Sequence, residues 1–160
     1  MRFDAVRVYG GLRVNDSDGD LAMVMAKLLH LIGLLAGLGF GLANIVILLR
    51  LPQASPEART ALQALQKLNG RIAFGGIILL WISGIWLYYA AYAGVVLRWP
   101  FYVKIAVAVV LTIAAAYAQW LVLRADISGK APSPAMMRTL GMTVPFLAVV
   151  TVVLAIAAFN

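Results

Sequence analysis

At 160 residues, 64% of them apolar and with mean hydropathy +0.96, the chain has the composition of an integral membrane protein and excludes a soluble domain. Its formal charge of +7 lies mostly in short connections between apolar runs. Basic residues there meet lipid headgroups, so the charge does not indicate a nucleic-acid partner. The absence of cysteine excludes disulfides, thiolate metal sites and cysteine nucleophiles.

Residues Met1–Asp20 read as a polar N-terminal tail, either a disordered or partner-docking segment or an over-extended start. Val6, Val8, Leu12 and Val14 flank Gly10-Gly11 in a pattern that suits a small hairpin, and Asn15–Asp20 reads as a turn with Asp20 as N-cap. The first apolar run, residues 21–49, is long enough to cross a hydrocarbon core of about 30 Å. It is too long for a signal-peptide core and no small-residue cleavage site follows it. Lys27, His30, Gly33, Gly37, Gly41 and Asn44 fall within roughly 120° of arc on this helix at about 100° per residue. His30 is the chain's one histidine. An ionisable group at this depth is costly against lipid and belongs against protein, a cavity or a cofactor.

Ser55-Pro56 has the form of an N-cap with proline at the first helical position. Ala58, Ala61, Leu62, Leu65 and Leu68 then recur at helical spacing. This predicts a short interfacial helix over residues 56–69, with Asn69-Gly70 either breaking it from the second span or lying inside one continuous helix. The second span covers 72–97 and supplies Gly76, Ser83 and Gly84 for close packing. Tyr88, Tyr89 and Tyr92, with Trp99 and Tyr102, read as an aromatic belt. In the third span, 101–123, Lys104, Ala108, Thr112, Ala115 and Gln119 share roughly 80° of arc. Residues 126–134 read as a loop, and the fourth span, 136–159, contains Pro145, which predicts a kink. The expected fold is all-α: an integral membrane four-helix bundle with one short interfacial helix between spans one and two.

Because the spans alternate in direction, His30, Lys104 and the Tyr88–Tyr92 cluster all lie in one leaflet. The small-and-polar faces of spans one and three are expected to meet inside the bundle. Taken alone, these residues leave two readings of His30: a structural imidazole bonded to a neighbouring carbonyl, or a functional one. Lys104 is equally open, since it is near enough to the interface to snorkel. The spans contain no acidic residue, which argues against a carboxylate proton relay, and the sparse methionines read as apolar filler. The first and third connections hold Arg50, Arg59, Lys67, Arg71, Arg124, Lys130 and Arg138, against Arg2, Arg7, Arg13, Lys27 and Arg98 on the other side. This balance places both termini outside the cytoplasm.

Lys27-Leu-Leu-His30-Leu-Ile-Gly33, Arg71-Ile-Ala-Phe-Gly75-Gly76, Ser83-Gly84-Ile85 and Trp99-Pro-Phe-Tyr-Val-Lys104 together resemble small bacterial membrane proteins of the HemJ and copper-resistance CopD superfamily. The resemblance covers about residues 25–124. It implies a bacterial inner-membrane protein, for which the termini placed outside by the charge balance are periplasmic, holding a b-type haem or porphyrin in the bundle. It also implies that His30 is the metal ligand, that Lys104 is catalytic and cofactor-binding, and that Gly33 and Gly37 let the macrocycle approach. The implied activity is redox, either a haem carrier or a HemJ-like protoporphyrinogen IX oxidase, with a quinone or respiratory-chain partner. With one histidine, bis-histidine ligation within a single chain is excluded. The family's early-span tryptophan and further charged residues are missing, which bears on the oxidase activity more than on the haem. The opposing expectation is a non-catalytic membrane subunit that docks a larger respiratory or transport complex through its glycine-rich faces. A homodimer through Gly33, Gly37 and Gly41 is a third use of the same face.

Overall fold

A computed structural model describes residues 16–92, 98–130 and 132–159. Five α-helices make up nearly all of it: α1 (Asp16–Leu34), α2 (Phe40–Arg50), α3 (Pro56–Leu87), α4 (Trp99–Ser128) and α5 (Pro134–Phe159). A π-helical turn, Leu35–Gly39, joins α1 to α2, so the two form one long rod. A second π-turn, Tyr88–Tyr92, extends α3. Four segments are long and apolar enough to cross a membrane: Gly19–Gln53, Pro56–Ala91, Trp99–Ser128 and Pro134–Ala158.

Local chemistry sets the helix ends. Ser55 adopts extended backbone angles, and its side chain accepts a 3.3 Å bond from the Ala58 amide, with Pro56 next in the chain. This is the cap expected from the Ser-Pro pair. The same pairing recurs at Ser133-Pro134, where the Ser133 carbonyl accepts from the Met137 amide at 3.0 Å. Gly129 closes α4 at φ +66°, a conformation that favours glycine, and its amide bonds the Ala125 carbonyl at 2.9 Å.

Three expectations are revised. The chain is already helical at Asp16, so Asp20 lies within the helix and is not its cap. The stretch 56–69 is not a separate interfacial helix; it forms the first turns of α3, which runs unbroken for 32 residues, about 48 Å. Asn69 is buried, and Gly70 lies under the Gln119 side chain, so neighbouring helices cover the weak Asn-Gly point. The loop begun at 126 is shorter, because α4 continues to Ser128. Helical hydrogen bonding in α5 continues on both sides of Pro145, whose ring rests against Gly41 with 3.7 Å to an added Cβ. The proposed hairpin around Gly10-Gly11 lies outside the described residues.

The rod of α1 and α2 packs along α3, and α4 packs along α5. Between these two pairs contact is much thinner. A small core of Ile77, Leu111 and Ala115 joins them at mid-height, with Phe74, Trp81, Val144, Leu147 and Ala148 against it. The Trp81 indole N–H also donates to Thr112 Oγ1 at 2.9 Å, linking α3 to α4. At one end Lys67 and Arg71 of α3 pair with Asp126 of α4, at 2.5 and 3.5 Å. α2 also meets α5, where Pro145 rests on Gly41 and Leu48 lies near Gly141; between these contacts the pairs stand apart, leaving a long cavity of about 1670 Å³.

Candidate functional site

The α1–α3 seam brings the site's first half together. Gly33, Gly37 and Gly76 let the two backbones touch: a Cβ on Gly76 would lie 2.5 Å from the Gly37 nitrogen and 2.8 Å from the Gly33 carbonyl oxygen. Such closeness is what small residues give membrane helices in place of a hydrophobic driving force. One turn along α1, His30 reaches α3 as well. Its Nδ1 lies 3.0 Å from Ser83 Oγ. Its ring rests on Gly84, where an added Cβ would come within 3.4 Å of Cε1. Ser83 is 2% exposed and its hydroxyl donates to the Leu79 carbonyl at 2.6 Å. The imidazole is therefore tied to α3 while still lining the cavity.

The second half comes from α4. Lys104 lines the same cavity from the opposite helix pair. Its Nζ lies 5.9 Å from the centre of the Phe101 ring, and Phe101 stacks on Tyr88 at 5.9 Å between centroids. The rest of the α4 stripe, Ala108, Thr112, Ala115 and Gln119, also lines the cavity, as do Gly37, Gly41 and Asn44 from the first rod. The expected packing of the two small-and-polar faces against each other is not found: Gly33 and Gly37 pack on α3, and the faces border one cavity from opposite sides.

The sequence-derived residues do not all gather there. Lys27 is exposed and does not line the cavity. Gly33 is buried with the α3 backbone at Gly76 and Leu80 against it, so a helix takes the space that a macrocycle was expected to use. Gly37 serves that seam and also borders the cavity. With Gly33 and Gly37 turned to α3 and Gly41 to Pro145, a homodimer or a docked subunit on this face would require the bundle to open. Tyr89, Trp99 and Tyr102 are exposed at the His30 end, as a belt requires, and the Tyr92 side chain lies outside the described residues.

Sequence reasoning assigned Ser83 and Gly84 to packing alone and missed their hold on His30. The signal was depth: α3 runs antiparallel to α1, and Ser83 lies nine residues before the end of the π-turn at Tyr92, as His30 lies nine residues after Leu21. A second polar group sits nearer the other end. There Asn44 donates to the Gln66 carbonyl at 3.2 Å, while its Oδ1 is buried without a partner among the described residues. No group of three or more His, Cys, Asp or Glu side chains that could hold a metal ion occurs among the described residues. A metal carried within a macrocycle does not need such a set, since one axial imidazole suffices. Compared with protein-family models, curated proteins and solved structures, the chain matches none.

Proposed function

We propose that this is a bacterial inner-membrane haem- or porphyrin-binding protein of redox function, a b-type haem carrier or a protoporphyrinogen IX oxidase-like enzyme. The single observation that carries the reading is the convergence of His30 and Lys104, from separate helix pairs, on one apolar-walled cavity. The resemblance to the HemJ and CopD superfamily supplies the identity of the ligand. The residues fit it in three respects. The imidazole is anchored through Nδ1, the arrangement typical of a metal-ligating histidine. The Lys104 ammonium suits a propionate carboxylate. The cavity, about 1670 Å³, has room for a tetrapyrrole, since common small-molecule pockets measure roughly 300–1,000 Å³.

When bound, haem supplies one-electron chemistry. The chain's own contributions are binding and orientation. His30 offers a ring nitrogen from α1, Lys104 fixes the carboxylate end from α4, and the walls between them keep water from the ring. A quinone or respiratory-chain component takes the electrons. Both termini face the periplasm, and the Lys67, Arg71 and Arg138 end faces the cytoplasm.

The test is the absorption spectrum of protein purified in detergent. A Soret band that disappears in His30→Ala is the expected result. Turnover of protoporphyrinogen IX that is lost in Lys104→Ala with haem retained identifies the enzyme; haem without turnover identifies the carrier. A colourless protein that co-purifies with a larger assembly would overturn the proposal in favour of a non-catalytic subunit.

A further inference from the structure

The hydrogen bonds around Ser83 determine more than where the imidazole sits. A serine hydroxyl has one hydrogen and two lone pairs. Its hydrogen points at the Leu79 carbonyl, 2.6 Å away, with the Leu80 carbonyl at 3.4 Å as the only other acceptor it meets on α3. A carbonyl can only accept, so the hydroxyl proton is committed to α3. Ser83 Oγ therefore presents a lone pair to His30 Nδ1 at 3.0 Å, and the proton between them belongs to the imidazole. In a neutral ring with Nδ1–H, Nε2 carries the lone pair. The arrangement is rigid: Ser83 is buried, and Gly84 gives the ring a floor without a side chain.

We infer that Ser83 is a positioning residue that holds His30 in the Nδ1–H tautomer, so that the cavity wall offers Nε2 as a fixed electron-pair donor. The chemical class this selects is a ligand with a vacant coordination position, namely a metallated tetrapyrrole and not a metal-free one. A metal-free macrocycle has no orbital for that lone pair to fill. The choice of ligand rests on the porphyrin reading; the tautomer does not.

Two measurements test the parts separately. The chain has one histidine, so protein labelled with 15N-histidine and purified without ligand gives a single imidazole spectrum. The expected result is a pyrrole-like shift at Nδ1 and a pyridine-like shift at Nε2. In Ser83→Ala the two signals should move toward an averaged pair, and Ser83→Thr, which keeps the hydroxyl, should restore them. A proton on Nε2 would overturn the inference. So would two protonated nitrogens, or a Ser83→Ala spectrum identical to wild type.

The second measurement titrates haemin and protoporphyrin IX into apoprotein. Wild type should bind haemin more tightly. Ser83→Ala should weaken haemin by about tenfold, the usual scale for losing a partner behind a metal ligand, while leaving protoporphyrin IX unchanged. Equal weakening of both would mean a packing defect and overturn the ligand choice. Binding of neither by wild type would overturn the porphyrin reading, with the tautomer then decided by the nitrogen spectra alone.

Discussion

The two sides of α3 hold their neighbours in different ways. Toward α1, glycine meets glycine and backbone lies on backbone, with no side chain between Gly76 and the Gly33–Gly37 turn. Toward α4, the helices stand off across a cavity and are joined by side chains: an indole on a threonine hydroxyl, a small apolar core, and two cations on one carboxylate. The first side is fixed by shape: an added Cβ is barred at Gly76 and crowded at Gly33. The second is a set of discrete links around open space, and that is the side on which the proposed ligand would sit. His30 belongs to both, anchored on the tight side and lining the open one.

Substitutions that distinguish the two sides sharpen this contrast. Gly76→Ala should have the largest effect, about 3 kcal/mol or loss of the folded protein, because its Cβ has nowhere to go. Denaturant titration of purified protein in mixed micelles measures it, and a neutral result would mean that the seam is looser than drawn. On the open side, Thr112→Val removes the acceptor of the Trp81 indole N–H and should cost about 1 kcal/mol, within the range of interhelical hydrogen bonds in membranes. Loss on the scale of Gly76→Ala would abolish the contrast. Gly75→Ala, next to the critical glycine but with nothing within 4 Å, should be neutral or stabilising by roughly 0.5–1 kcal/mol. Asp126→Asn should matter least, leaving the unfolding midpoint unchanged at moderate salt, since its partners are exposed. A salt-sensitive drop in midpoint would instead make that corner a structural clamp.

Much of this architecture was readable from the sequence, because its signals are long and local. Runs of apolar residues fixed the number of spans, and the Ser55-Pro56 pair fixed where α3 begins. The alternating direction of the spans was enough to bring His30 and Lys104 to one level. What escaped depends on neighbours distant in sequence. Asn69-Gly70 looks like a break until the Gln119 side chain is placed over it from α4. Gly33 looks like room for a ligand until Gly76 fills it from α3. Ser83 looks like any small polar residue until an imidazole 53 positions earlier settles on its oxygen. Periodicity marks which residues share a face, but not which partner claims that face.

The π-turn at Leu35–Gly39 gives the first rod a local reserve of length. A π-turn holds one residue more than an α-helix needs for the same rise, and it separates the His30 half of the rod from the Gly41–Asn44 half. Deleting a single residue from it would let the rod heal into a plain α-helix, with both halves keeping the faces they present. Gly41 would stay in its socket at Pro145 and Asn44 at the Gln66 carbonyl. The surplus residue is slack that this rod can lose without turning either half away from its partner.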